Sequence, residues 1–389
     1  MLKKIREELK KLTDAKALRE LHVRSERAPG YVTLRGKKLL DFTNWDSLNL
    51  NTEPKFISAF QREAEISGVG ATAARSSSGT TPAHFAAEKR LSSFFNSESS
   101  LLFSSANQAI LSLMSALLTE GDCVIVDESS HGRIIDAALL VHAESINFDT
   151  ANPDSLTKAC EISRPYKNKI AIISSVSPIS GEVADIKKVI TVAEKYQIPI
   201  LIDESYGLGI LGIRGAGALD GLEIPVNFLG RFGSLAFSLG AYGGFFSGPK
   251  SVTDLLVNRS RTFSSEPSLP PAIAAAVEVG MGIVELGHGK RIRLRELTSH
   301  FRDSLIEAGY KIQPTSESNI IALKFPKKSI ATELAEGLFH KGILAEVIDT
   351  RTPSESSTSL RFIINSAHKE REIEDTLAAL SDLSKRIKS

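Results

Sequence analysis

Short apolar runs alternate along the chain with longer stretches whose apolar residues recur every three or four positions. Residues 100–104, 123–126, 170–176 and 198–202 are the runs, each of strand length. Residues 107–118 and 185–196 have helical spacing, and in the second Ile186, Val189, Ile190, Val192 and Ala193 fall on one face. Strand, helix, strand at this pitch predicts βαβ units and a mostly parallel sheet. The runs are continuously apolar, as expected when helices cover both faces. After about residue 275 the pattern changes. Residues 291–308 predict a charged amphipathic helix, 319–325 and 359–365 strands, and 368–387 a terminal helix, together a smaller α+β unit. At the other end Leu2, Ile5, Leu9 and Leu12 have helical spacing and predict an amphipathic helix lying on the body. Residues 350–358 read as a polar surface loop.

Composition narrows the class. The 389 residues are 42% hydrophobic and 24% charged, ordinary for a globular protein with a sizeable core. Forty-seven basic residues against 46 acidic ones leave a formal charge of +1, which argues against nucleic acid or an anionic membrane as partner. Cys123 and Cys160 cannot form a disulfide framework and lack metal-site spacing, so a reducing compartment fits. No apolar run approaches the ~18 residues of a membrane span. The N-terminus is too charged for a signal peptide, and its acidic residues argue against a transit peptide. The expectation is a cytoplasmic protein.

In open α/β sheets ligands bind beyond the carboxyl ends of the strands. Those positions hold Ser104 to Asn107, Asp127 with His131 soon after, Ser174 with Ser175, and Asp203. Polar turn residues end any parallel sheet, so position alone does not separate a site from turns. Gly207, Gly209 and Gly212 match a dinucleotide pattern, but Gly215 and Gly217 follow and no helix opens there, so a glycine-rich turn is the better reading. There is no GxSxG, HExxH or CxxC, the histidines form no cluster, and no metal is expected.

The ordered set of motifs resembles the α-oxoamine synthases, pyridoxal-phosphate (PLP) enzymes that join an amino acid to an acyl-CoA with loss of CO2. It includes Gly70 to Arg75, Ser78-Gly79-Thr80, Leu101 to Ser105, Asp127 to His131, Asp203-Glu204, Gly243-Gly244-Phe245, Leu269-Pro270-Pro271 and Leu360-Arg361. Each is weak alone; their order makes the resemblance strong, and it runs nearly end to end.

The resemblance implies a PLP-dependent transferase type I fold: a large domain with a mostly parallel seven-stranded sheet, plus a smaller α+β C-terminal domain. The implied division is an N-terminal segment over 1–54 packing with the small domain, a large domain over 55–275 and the small domain over 276–389. It implies His131 stacked on the PLP ring and Asp203 paired with the pyridinium nitrogen, which keeps the ring an electron sink. Ala106 and Asn107 would offer a helix N-terminus to the phosphate, and Ser234 a hydroxyl. Tyr206 would lie near the cofactor oxygen, and Arg361 would hold the substrate carboxylate. It also implies a homodimer, or a heterodimer with an active paralogue. Segments 70–82 and 262–271 would reach the site from the neighbouring chain and be poorly supported in a monomer.

Departures from the pattern cluster around the same pocket. The lysine that forms the family's Schiff base falls six residues before Gly243, which is Phe237 here, and neither lysine nor histidine lies between Arg231 and Lys250. A phenyl ring can neither form a Schiff base nor move a proton. Tyr206 stands where the family has a histidine, Pro267 where it has a threonine, Pro178 where it has a serine, and Trp45, the only tryptophan, lies at the substrate entrance. Three readings follow: a noncatalytic or repurposed member, also as an accessory subunit; an active PLP-dependent acyl-CoA:amino acid C-acyltransferase; and a lysine-free enzyme of another reaction using Tyr206 or His131. The missing amine favours the first. Phe237 is expected to point into the reaction space beside Tyr206 and His131.

Overall fold

The computed structural model describes residues 1–14, 18, 21–130, 132–150, 152–312, 318–351 and 356–388. The chain opens with α1 (Leu2–Asp14), β1 (Arg24–Ala28), β2 (Tyr31–Leu34) and β3 (Lys37–Asp41). Then come α2 (Pro54–Ser67), α3 (Pro82–Phe95), β4 (Ser99–Phe103), α4 (Ala106–Leu117), β5 (Cys123–Asp127), α5 (Arg133–Leu140), β6 (Glu144–Phe148) and α6 (Pro153–Ile162). Next are β7 (Lys169–Ser174), α7 (Ile186–Lys195), β8 (Ile200–Asp203), β9 (Phe228–Ser234), β10 (Gly244–Gly248), α8 (Lys250–Arg259) and α9 (Arg261–Ser264). The rest is α10 (Pro271–Leu286), α11 (His288–Glu307), β11 (Ile320–Phe325), α12 (Lys328–His340), β12 (Ile343–Leu344), β13 (Glu346–Arg351), β14 (Ser356–Ile363) and α13 (Glu370–Lys388).

The large sheet has seven strands in the order β4-β10-β9-β8-β7-β5-β6. β5 to β9 pair in parallel, while β10 runs antiparallel between β4 and β9. Alternation along each apolar strand sorts side chains onto two covered faces. Val124, Val126, Ile172 and Leu201 pack under α4, α5 and α8. Ile125, Ile173, Ile200 and Ile202 pack under α6 and α7. Helix starts follow local chemistry: Ser105 accepts from the Gln108 N–H at 3.1 Å to cap α4, and Pro82, Pro153 and Pro271 open α3, α6 and α10.

The C-terminal part carries an antiparallel sheet, β11-β14-β13. β12 pairs in parallel with β3, and Phe42 packs 5.9 and 5.5 Å from the Phe301 and Phe362 rings, so the N-terminal strands and the C-terminal part share one core. Residue 276 lies within the continuous helix α10.

Three expectations need correction. α1 forms, but buries no residue: Leu2, Ile5, Leu9 and Leu12 are all exposed, because its apolar stripe is narrow and charged side chains flank it. The stretch 350–358 is not all loop, since Asp349, Thr350 and Arg351 pair with Thr358, Ser357 and Ser356 in the β13–β14 ladder. Residues 352–355 lie outside the described residues. Segments 70–82 and 262–271 support each other within one chain. The Ser268 N–H donates to the Ala73 carbonyl at 3.0 Å, and Ala74 bridges Pro267. His84 Nε2 also contacts the Leu269 carbonyl at 2.7 Å. Among the described residues no single helix is long and apolar enough to cross a membrane.

Candidate functional site

The carboxyl edge of the seven-stranded sheet gathers the strand-end residues. Ser174 and Asp203 are register partners, and Asp127 closes β5 beside them. Asp127 accepts from the Ser129 N–H at 3.0 Å and hydroxyl at 2.9 Å; burial nevertheless pushes its carboxyl above the usual range. β10 starts at this edge because Gly244 has no side chain. A Cβ there would lie 2.4 Å from the Ser105 carbonyl carbon and 2.5 Å from the Ala106 nitrogen.

Asp203 ends β8, 4% exposed, and every contact it makes is internal. Its Oδ1 accepts from the Ser205 N–H at 2.9 Å and the Ser205 hydroxyl at 2.5 Å. Its Oδ2 accepts from Arg133 Nη2 at 2.5 Å. Arg133, 7% exposed, opens α5 on the same face as Ile134, Ala137 and Ala138. Ser205 Oγ also accepts from Arg133 Nη2 at 2.9 Å and from the Ser234 N–H at 3.0 Å. One donation and two acceptances use the full capacity of a hydroxyl.

Tyr206, the residue after Ser205, belongs to a group of three rings. Phe237, on the loop between β9 and β10, stacks on Tyr206 at 4.7 Å between centroids and lies 4.9 Å from Trp45. Trp45 and Tyr206 meet edge to face at 5.1 Å. Val176, Ile320 and Ile363 complete this apolar cluster. Burial raises the Tyr206 hydroxyl well above the ordinary phenol range, so it stays protonated. The loop that carries Phe237 turns at Gly240, φ +62°, where a Cβ would press on Asn51 and Asp46 at 2.7 Å.

Arg361 approaches the rings from β14. Its guanidinium lies 4.5 Å above the Trp45 ring, donates through Nη1 to the Pro178 carbonyl at 2.6 Å, and donates through Nη2 to Glu346 Oε2 at 2.6 Å. Glu346 is its direct cross-strand partner in the β13–β14 ladder.

The edge therefore brings together Asp203, Tyr206, Phe237, Ser234 and Arg361, with Ala106 and Asn107 at the start of α4. Asn107 is exposed, and Ser234 Oγ accepts from the Ala236 N–H at 3.1 Å. His131 lies outside the described residues. Lys250 sits beyond the opposite end of β10, exposed and bonded to both oxygens of Asp254 at 2.6 and 2.7 Å. Sequence reasoning missed Arg133, Ser205 and Glu346. Arg133 was findable: a cation in the first turn of an apolar helix opposes the helix dipole and calls for a buried acid.

Comparison with known proteins agrees with this architecture. The family described as aminotransferase class I and II matches residues 38–380. The chain is 27% identical to the 8-amino-7-oxononanoate synthase of Geobacter sulfurreducens over 389 residues, spanning 100% of this chain and 99% of that one. It is 28% identical to the Citrifermentans bemidjiense enzyme of the same name, over 98% of both. Serine palmitoyltransferase of Sphingomonas wittichii superposes with a TM-score of 0.90 at 25% identity, covering 98% of this chain and 96% of that one. The 8-amino-7-oxononanoate synthase of Francisella tularensis shares the fold, with a TM-score of 0.79 at 22% identity over 90% of this chain and 99% of that one. The chain belongs to the aminotransferase class I and II family and, within it, to the α-oxoamine synthase group.

Proposed function

We propose that this chain keeps the α-oxoamine synthase fold without running the parent condensation, and acts as a noncatalytic member of the family. One observation supports the reading: Phe237, at the position where the family resemblance puts the lysine, packs its ring against Tyr206 and Trp45 and carries no amine. PLP, when bound through a lysine, supplies an electron sink for carbanion chemistry. The residues present do not fit that group. Phe237 has no amine, Lys250 is at the wrong edge, and the acceptor atoms of Asp203 are engaged by Ser205 and Arg133. Arg361, which would hold a substrate carboxylate, is already paired with Glu346.

The chain works in this reading as a homodimer, or as the silent partner of an active paralogue. Ile66 on α2, Val69 just after it and Phe85 on α3 are exposed large apolar side chains of the kind such an interface would cover. Light scattering at micromolar concentration should give twice the 42.1 kDa of one chain.

The decisive experiment adds PLP to purified protein, records the visible spectrum, reduces with borohydride and measures intact mass. A panel of amino acids and acyl-CoA thioesters is then scored for CoA release. The protein should stay colourless, gain no pyridoxyl mass and release no CoA. Yellow protein that condenses an amino acid with an acyl-CoA would overturn the proposal.

A further inference from the structure

We infer that Arg133 is a built-in substitute for the ring nitrogen of PLP: its guanidinium N–H permanently takes the Asp203 oxygen that the cofactor would use, and so excludes PLP independently of Phe237. The inference deepens the noncatalytic reading and rests on it for the identity of the pocket.

Three observations support it. Arg133 lies in the first turn of α5, where the positive end of the helix disfavours a cation, so its burial is explained by Asp203 and not by the helix. Ser205 locks the pair from both sides, donating to Asp203 Oδ1 and accepting from Arg133 Nη2. The same oxygen accepts the Ser234 main-chain N–H, so the end of β9 is built onto this ion pair. For a pyridine ring to reach Asp203, the guanidinium would have to leave. That strands a cation among buried groups, and breaking a buried pair is far more costly than losing a surface one.

A cofactor pocket merely lacking its lysine would recover when an amine is restored. A pocket carrying its own counter-cation would not. Four proteins separate the two: wild type, Phe237→Lys, Arg133→Ala, and Phe237→Lys with Arg133→Ala. Each is titrated with PLP, followed by absorbance, by thermal midpoint, and by intact mass after borohydride reduction. Phe237→Lys alone should bind PLP weakly and gain little pyridoxyl mass. The double variant should bind about ten- to a hundredfold more tightly, gain the mass of one group, and be stabilised by PLP, because an ionic hydrogen bond to Asp203 becomes available. If Phe237→Lys alone binds as tightly as the double variant, Arg133 is not the excluding group, while the noncatalytic reading stands. If wild type gains the pyridoxyl mass or releases CoA, it is the noncatalytic reading that fails.

A stability cycle tests the pair without any cofactor. Arg133→Met should lower the thermal midpoint by about 5–10 °C, and adding Asp203→Asn should recover at least half of that loss. An Arg133→Met protein as stable as wild type would overturn the inference even if the double variant failed to fold.

Discussion

At the edge of the seven-stranded sheet, Arg133 meets Asp203 with side chains 5% and 3% exposed; on the C-terminal antiparallel sheet, Arg361 meets Glu346 with side chains 8% and 45% exposed. The contacts are nearly equal in length, 2.5 and 2.6 Å. Their surroundings set them apart. A half-exposed carboxylate can trade its arginine for solvent at little cost, whereas a buried one cannot. The two ion pairs are therefore closed to different depths, and the second would exchange its partner for another anion more readily than the first.

Asp203→Ala should have the largest effect. It strands Arg133 in the interior and should lower unfolding free energy by about 3–5 kcal/mol in urea titrations. If it cost no more than Glu346→Ala, the contrast between the two pairs would disappear.

Acid acts away from both pairs, at two buried histidines. Burial holds His84 and His368 at about 4, against an ordinary 6.5. His84 joins Thr81 to Leu269 beside the sheet, and His368 joins Asn365 to the Asp41 carbonyl on the C-terminal side. Below 6.5 the unfolded histidines take up protons that the folded ones refuse until about 4. Stability from each is thus complete above that window and falls as pH drops through it, by about 3 kcal/mol at the lower limit. Urea midpoints between pH 7 and pH 4 should show the loss, and His84→Gln and His368→Gln should each flatten the curve by its own share.

Phe237→Ala comes next, at about 1–3 kcal/mol, below the 3–5 of a fully buried ring because Phe237 is only half buried. Trp45 is the sole tryptophan, so its emission should shift to longer wavelength as water enters the stack. An unchanged spectrum would mean the rings do not hold one another in solution.

Glu346→Gln should be the mildest, about 1 kcal/mol or less and fading with salt. A loss as large as that of Asp203→Ala would again erase the distinction.

The parallel strands were legible because both-face burial writes itself as unbroken Val and Ile, as in β5 and β8. The α1 helix was legible but its docking was not, since helical spacing states which residues share a face and not what covers them. Arg361 was found by family likeness, yet its partner Glu346 was hidden, because the stretch that sets the β13–β14 register is polar and reads as loop. Ser205 gave no signal at all. A serine after a strand-end acid is ordinary, and only the approach of β9 and α5 makes it a junction.

On the noncatalytic reading proposed above, that junction would also resist reversal. Asp203, Ser205, Arg133 and the Ser234 main chain satisfy one another, so each residue is now the reason the others are tolerated. A return to cofactor use that changed Arg133 first would pass through a protein with an unmatched buried carboxylate; one that restored an amine at position 237 first would gain nothing at Asp203. Neither single step is rewarded, and together they define a valley that drift alone crosses rarely. On that reading the ion pair at the end of β8 would act on lineages as well as on folding, and a lost use of the cofactor would be hard to regain.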